Sequence, residues 1–222
     1  MRNWIFLFAG LLAVGTEFQT LAPVDISGFG RDRPIQAVVT ELSSSACRGS
    51  NYFRNGDSHH DDLSYDVHIS ANVVFKNLSA RAVLLYRDFN PAMTERVAAS
   101  PRDIALGKFV AGFDGDRMAV TSEPKKVSID DFIVINAGES YKATIRAIVF
   151  ASTDLKKPFH TPGKYWVQLG IDARPDEFYF DGGAAKDFRN KWRSHGRLLD
   201  FVLTEPFPIE IAFDPNAPPC EE

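Results

Sequence analysis

Apolar and polar residues alternate along the stretch between Tyr65 and Lys76. Among the positions that should be polar, only Val74 is apolar. The apolar positions are Tyr65, Val67, Ile69, Ala71, Val73 and Phe75. Successive side chains of a β-strand point to opposite faces, so a period of two predicts a strand with one buried and one wetted face. A polar, turn-prone segment at 76–81 and an apolar run at 82–86 follow, and the whole predicts a β-hairpin in an antiparallel sheet.

Further strands are predicted where this alternation or a short apolar run recurs. The alternation is clear at residues 141–149 and 165–171 and weaker at 35–42. Short apolar segments add strands or strand fragments at 104–110, 118–120, 132–136, 198–203 and 207–213. The pattern therefore predicts an all-β protein.

One segment, residues 184–195, has helical spacing instead. Phe188 and Trp192 lie four positions apart among basic residues, and Gly196 follows where a C-cap glycine would stand. This predicts one short helix near the C-terminus. Its apolar side should pack across an open end or edge of the sheets.

Two late motifs resemble the immunoglobulin-like β-sandwich. A turn with a Gly-Glu-Ser-Tyr sequence at 138–141 starts one strand, and a Pro-Gly-x-Tyr-x-Val-x-Leu sequence at 162–169 starts another. Tyr165 stands where that family has its tyrosine corner, whose hydroxyl ties a loop back to the backbone. The cysteine that often follows two positions later is Val167 here, so the disulfide and tryptophan of antibody domains are not implied. The resemblance covers residues 65–173 and implies an antiparallel sandwich rather than an activity.

The first 22 residues predict a secretory signal peptide. A short basic start precedes an apolar run at residues 4–14, and small residues precede a cleavage point after Ala22. A cut after Gly15 is the alternative, because Pro23 is unfavourable directly after a cleavage site. The apolar run is short for a membrane anchor. We therefore expect a secreted or periplasmic protein whose residues 23–222 form a single domain without a transmembrane segment.

The chain has two cysteines, Cys47 and Cys220. Exported proteins fold in oxidising compartments, where these residues can form a disulfide that ties down the Pro-rich C-terminal tail. Two free thiols are the alternative. A catalytic role is disfavoured, because neither cysteine has a histidine near it in sequence.

Motifs that carry catalytic chemistry are sparse. The chain has no G-x-S-x-G motif, and its five histidines are scattered. The densest group of metal-binding residue types is the loop His59-His60-Asp61-Asp62, but adjacent residues on an extended loop point apart. We therefore predict no metal site, no cofactor and no catalytic residue. The net charge of −4, with both signs mixed along the chain, gives no nucleic-acid footprint.

Exposed aromatic residues are the candidate binding residues. Trp166 is predicted on the outward face of its strand, and Phe178 and Tyr179 belong to an aromatic cluster before the helix. Such residues bind sugars or protein partners, unless the helix and the last strands cover them. Asn77-Leu78-Ser79 matches the N-glycosylation pattern on the predicted hairpin turn, and we give it no functional weight.

Together these features predict a non-catalytic binding domain that recognises a protein or a component of the cell envelope. One alternative is a carbohydrate-binding module that uses Trp166, Phe178 and Tyr179. Another is a metal-dependent hydrolase built on the loop from His59 to Asp62.

Overall fold

The structure of the chain is a computed structural model that describes residues 19–20, 34–48, 65–114, 126–151, 162–175, 185–212 and 216. Within these residues the chain forms twelve β-strands and two short α-helices. The strands are β1 (Gln19–Thr20), β2 (Ile35–Arg48), β3 (Tyr65–Asn77), β4 (Val83–Tyr86), β5 (Asn90–Ala98), β6 (Ala111–Asp114), β7 (Phe132–Ile135), β8 (Ser140–Ala151), β9 (Gly163–Asp172), β10 (Arg197–Leu198), β11 (Phe201–Leu203) and β12 (Phe207–Ile211). The helices are α1 (Pro101–Ala105) and α2 (Ala185–Trp192). The all-β prediction is confirmed.

The strands form three sheets. Their orders are β1-β2-β3-β8, β10-β4-β7 and β11-β9-β5-β6, and β12 also pairs with β9. All pairs of strands are antiparallel except β10 and β4, which are parallel. The predicted hairpin of residues 65–86 is therefore wrong, because β3 and β4 lie in different sheets. Periodicity identifies a strand but carries no information about its partner.

One hydrophobic core joins the three sheets. The inward residues of β3 are fully buried, as their alternation predicts, and they share this core with alternate residues of β8, β9 and β12. The largest contributors include Val67, Ile69, Phe75, Ile145, Leu169, Ile171, Phe207 and Ile209. Tyr165 also lies in this core, and burial raises the pKa of its hydroxyl.

A second, smaller core lies on the other face of β4. Val83 and Leu85 point into the main core, whereas Leu84 and Tyr86 point into a cluster with Trp192. The Trp192 ring packs against the ring of Phe132 on β7, with the centroids 4.9 Å apart. Helix α2 therefore lies against the outer face of the sheet β10-β4-β7, and this contact explains why all four residues of β4 are apolar.

The strand fragment predicted at residues 104–110 is wrong, because residues Pro101–Ala105 form α1. Ser100 caps this helix by accepting a hydrogen bond from the backbone N–H of Asp103 at 3.1 Å. Pro101 begins the helix, where the missing N–H of proline costs no hydrogen bond.

Gly196 follows α2, and its N–H donates to the carbonyl of Trp192 at 3.2 Å. It does not adopt the left-handed conformation of a typical C-cap glycine, since among the described residues only Gly107 and Gly138 have positive φ. A Cβ on Gly196 would lie 2.8 Å from the carbonyl oxygen of Ala82. Glycine is therefore required by a close approach between two backbones.

Strand β1 pairs with Glu41 and Leu42 of β2, and it falls within the predicted signal peptide. Cleavage after Ala22 would remove β1, whereas cleavage after Gly15 would retain it. Residues 1–18 and 21–33 lie outside the described residues, so the signal peptide stays a prediction. Neither helix in the described part of the chain is long and apolar enough to cross a bilayer.

Candidate functional site

The residues predicted to bind or react are only partly within the described structure. Trp166 lies on β9, opposite Ala98 of β5 and Pro208 of β12, and its side chain is half-buried. Phe178 and Tyr179 lie outside the described residues, so the predicted aromatic site stays a prediction.

The residues of the metal and disulfide predictions also lie partly outside the described structure. The loop from His59 to Asp62 lies outside it, and the described residues contain no group of three metal-binding side chains. Cys47 is half-buried near the end of β2, and no cysteine among the described residues is free. Its pairing with Cys220 stays a prediction, because Cys220 lies outside the described residues.

The structure contains a cleft that the sequence pattern does not predict. This arginine cleft has a volume of about 970 Å³ and opens between the turn after β3 and the segment after α2. Its charged lining consists of Arg81, Arg189, Arg193, Arg197 and Asp200. The lining therefore carries a surplus of three positive charges, in a chain whose net charge is −4.

Apolar residues form part of the same cleft. Leu198 and Leu199 are buried in its wall, whereas the ring of Phe201 is 41% exposed. The arginine cleft thus combines guanidinium groups with an accessible aromatic surface.

Two arginines are positioned by α2. Arg189 lies on α2, and Arg193 directly follows the last residue of that helix. Arg189 holds Asp200 with two nitrogens: Nε lies 3.4 Å from Oδ1, and Nη2 donates to Oδ2. Burial of Trp192 fixes α2 against the sheet and so fixes the base from which both arginines project.

Arg81 is positioned by the turn after β3. The amide Nδ2 of Asn77 donates to the carbonyls of Arg81 at 2.8 Å and Ile135 at 2.9 Å. Its Oδ1 accepts from the backbone N–H and the hydroxyl of Ser79 at 2.9 and 2.7 Å. These bonds draw the turn towards β7 and fix its shape. Arg81 Nη2 then donates to the carbonyl of Arg193 at 3.3 Å and ties the turn to the end of α2.

The same bonds explain the glycosylation-like motif at Asn77. The residue is 1% exposed, and both donor positions of its amide nitrogen are occupied by carbonyls. The motif is therefore a structural element of the turn in the folded protein, and its nitrogen is inaccessible to a glycan.

Arg197 enters the cleft from β10. Its N–H donates to the carbonyl of Ala82 at 2.8 Å, and the alternation of the strand leaves Arg197 exposed while Leu198 is buried. This pairing requires the close approach at Gly196.

Buried polar residues on the outer face of β9 stabilise the sheet and are not part of the arginine cleft. Gln168 is buried and donates from Nε2 to the carbonyl of Thr204 at 2.9 Å. Asp172 is buried and accepts from Nε and Nη2 of Arg174 at 2.8 and 2.9 Å. Buried polar groups that are satisfied in this way hold a sheet together and leave little capacity for a ligand.

The arginine cleft offers binding chemistry. Guanidinium groups match the geometry of carboxylate and phosphate oxygens. Its described lining contains no histidine or cysteine, and its neutral polar residues are Ser79 and Asn190.

The chain matches no protein-family model, no curated protein and no solved structure.

Proposed function

We propose that this protein is a non-catalytic binding domain, exported to the periplasm or the cell exterior, that recognises a protein or cell-envelope partner through the arginine cleft. The main support is that the cleft contains three arginines without a carboxylate partner among the described residues: Arg81, Arg193 and Arg197. None of the three lies within salt-bridge distance of a carboxylate in the described part of the chain. Together with exposed Phe201, they form a surface whose charge is not neutralised within those residues.

Such a combination is typical of binding surfaces. Arginine and aromatic residues are enriched at interfaces and carry much of their binding energy, because both combine a large contact area with directed polar or ring contacts.

Export is supported by the basic start and the apolar run at residues 4–14. We also propose that the three sheets form an immunoglobulin-like sandwich, with support from the motif around Tyr165 and from the single core that the sheets share. The carbohydrate alternative depends on Trp166, Phe178 and Tyr179 and the hydrolase alternative on the loop from His59 to Asp62. Of these residues only Trp166 is described, and its side chain is half-buried.

The test compares capture of a partner by three forms of the mature protein. The cleft variant is Arg81→Gln, Arg193→Gln and Arg197→Gln, and the surface control is Arg102→Gln, Lys108→Gln and Arg146→Gln. The control removes the same charge from exposed positions outside the cleft. Each form is immobilised and exposed to an envelope extract of the native host, and circular dichroism confirms that each is folded.

We expect wild type and the surface control to retain the same partner, and the cleft variant to retain at least about tenfold less. Loss of three exposed ion pairs at about 0.5–1 kcal/mol each corresponds to this range. Equal capture by all three forms, or capture by none, would refute the proposed function.

A further inference from the structure

We infer that the partner presents to the arginine cleft an extended acidic segment, in which at least two separate carboxylates flank an apolar side chain. This inference rests on the proposed function and names the chemistry of the partner. It follows from three features of the cleft: a carboxylate already held there, the placement of the arginines, and the exposed ring of Phe201.

The cleft already shows how it holds a carboxylate. Arg189 engages both oxygens of Asp200 through Nε and Nη2. This two-point geometry is the one in which guanidinium and carboxylate match best. Arg81, Arg193 and Arg197 offer the same chemistry to carboxylates supplied by a partner.

The three arginines reach the cleft from three different elements of the fold. Arg81 projects from the turn after β3, Arg193 from the end of α2, and Arg197 from β10. Carboxylates spaced along an extended segment can meet each of them separately, because alternate side chains of such a segment lie well apart.

The C-terminal end of α2 also affects where negative groups of the partner can lie. Helix C-termini carry partial negative charge. The carbonyl of Trp192 accepts from the N–H groups of His195 and Gly196 at 2.9 and 3.2 Å, and Arg81 donates to that of Arg193. Negative groups of the partner are therefore favoured at the arginine side chains rather than beside these carbonyls.

Phe201 supplies the apolar contact. Its ring is 41% exposed at the cleft, beside buried Leu198 and Leu199. An apolar side chain of the partner can cover the ring and remove apolar surface from water. The volume of about 970 Å³ lies at the upper end of the range of about 300–1,000 Å³ that is usual for ligand pockets, so it accommodates a short segment.

The experiment is a fluorescence-anisotropy titration of the full mature protein with labelled nine-residue peptides. The acidic peptide has two glutamates on each side of a central leucine. The neutral peptide has glutamine for every glutamate, and a third peptide has glycine for the leucine. Inorganic pyrophosphate and vesicles that contain phosphatidylglycerol serve as competitors, and the cleft variant and the surface control are titrated in parallel.

We expect the acidic peptide to bind wild type and the surface control equally and the cleft variant at least about tenfold more weakly. The neutral peptide should bind at least about tenfold more weakly than the acidic one, and binding should weaken as salt rises. The glycine peptide and the variant Phe201→Ala should each reduce affinity severalfold.

Equal affinity for the acidic and neutral peptides, or for wild type and the cleft variant, would overturn the inference. So would pyrophosphate or vesicles that bind in an arginine-dependent way while the acidic peptide does not. In that case an arginine-dependent partner in the capture experiment would leave the proposed function standing. Failure of both experiments would remove the proposed function as well.

Discussion

Asn77→Asp tests how the turn beneath Arg81 is held. The change keeps the size and shape of the side chain but replaces the donor nitrogen by an oxygen. The two hydrogen bonds that Ser79 donates to the side chain at position 77 are kept. The two that Asn77 Nδ2 donates to the carbonyls of Arg81 and Ile135 are lost.

The expected cost follows from these two bonds. The buried carbonyl of Ile135 loses its donor, whereas the carbonyl of Arg81 keeps the Ser79 hydroxyl 2.8 Å away, so the free energy of unfolding should fall by about 1–3 kcal/mol at pH 7. Repulsion between the new carboxylate and the carbonyls adds to this cost and raises the pKa of the introduced carboxyl group. When protonated, that group can donate one bond. The loss should therefore be largest at neutral pH and should shrink as pH falls towards about 4.

Urea denaturation of wild type and variant at pH 7 and pH 4.5 measures the effect. Leu78→Ala is the matched control, because Leu78 occupies the next position of the same turn and is 56% exposed. Its effect should stay within about 0.5 kcal/mol. A change of less than about 0.5 kcal/mol in Asn77→Asp at pH 7 would refute the view that this amide holds the turn.

Three other predictions concern the surroundings of the cleft and the chain as a whole. Gly196→Ala should destabilise the fold by about 1–3 kcal/mol in urea denaturation and weaken capture, because its Cβ would meet the carbonyl of Ala82; wild-type stability would contradict this. Burial raises the pKa of Glu205 above its ordinary value of 4.5, so the folded state binds the proton more tightly and stability is lost as pH rises through the raised pKa. Glu205→Gln should remove this fall in melting temperature, and an unchanged pH profile would contradict the assignment. If Cys47 and Cys220 pair, thiol titration of the denatured, unreduced protein should detect no free thiol, and Cys220→Ser should cost up to ~5 kcal/mol; two free thiols would exclude the bridge.

The strands could be predicted from sequence wherever one face is buried. Alternation located β3, β8 and β9, because a half-buried strand repeats its environment every two residues. It could not assign partners: the hairpin prediction failed because β4 pairs with β7 and β10, which lie far away in sequence. The hydrogen bond from Asn77 to the carbonyl of Ile135 is one of the contacts at this crossing between sheets. The strand fragment predicted at 104–110 failed because Ser100 and Pro101 start a helix there, and the apolar run from Ile104 carries no information about that cap.

The arginine cleft could not be predicted, for a related reason. Arg189, Arg193 and Arg197 repeat every four residues, and this was the available signal. Arg81 joins them through the pairing of β10 with β4 and through its hydrogen bond to the carbonyl of Arg193. The requirement for glycine at position 196 was likewise hidden, because it comes from the carbonyl of Ala82 rather than from a turn conformation.

Whether the arginine cleft binds the partner is tested by isothermal titration calorimetry, which measures the affinity of the purified, captured partner for wild type, the cleft variant and the surface control. If the partner binds in the arginine cleft, wild type and the surface control bind it equally and the cleft variant binds it at least about tenfold more weakly. Equal affinity for all three forms would show that the partner binds elsewhere and that the arginine cleft is not its site.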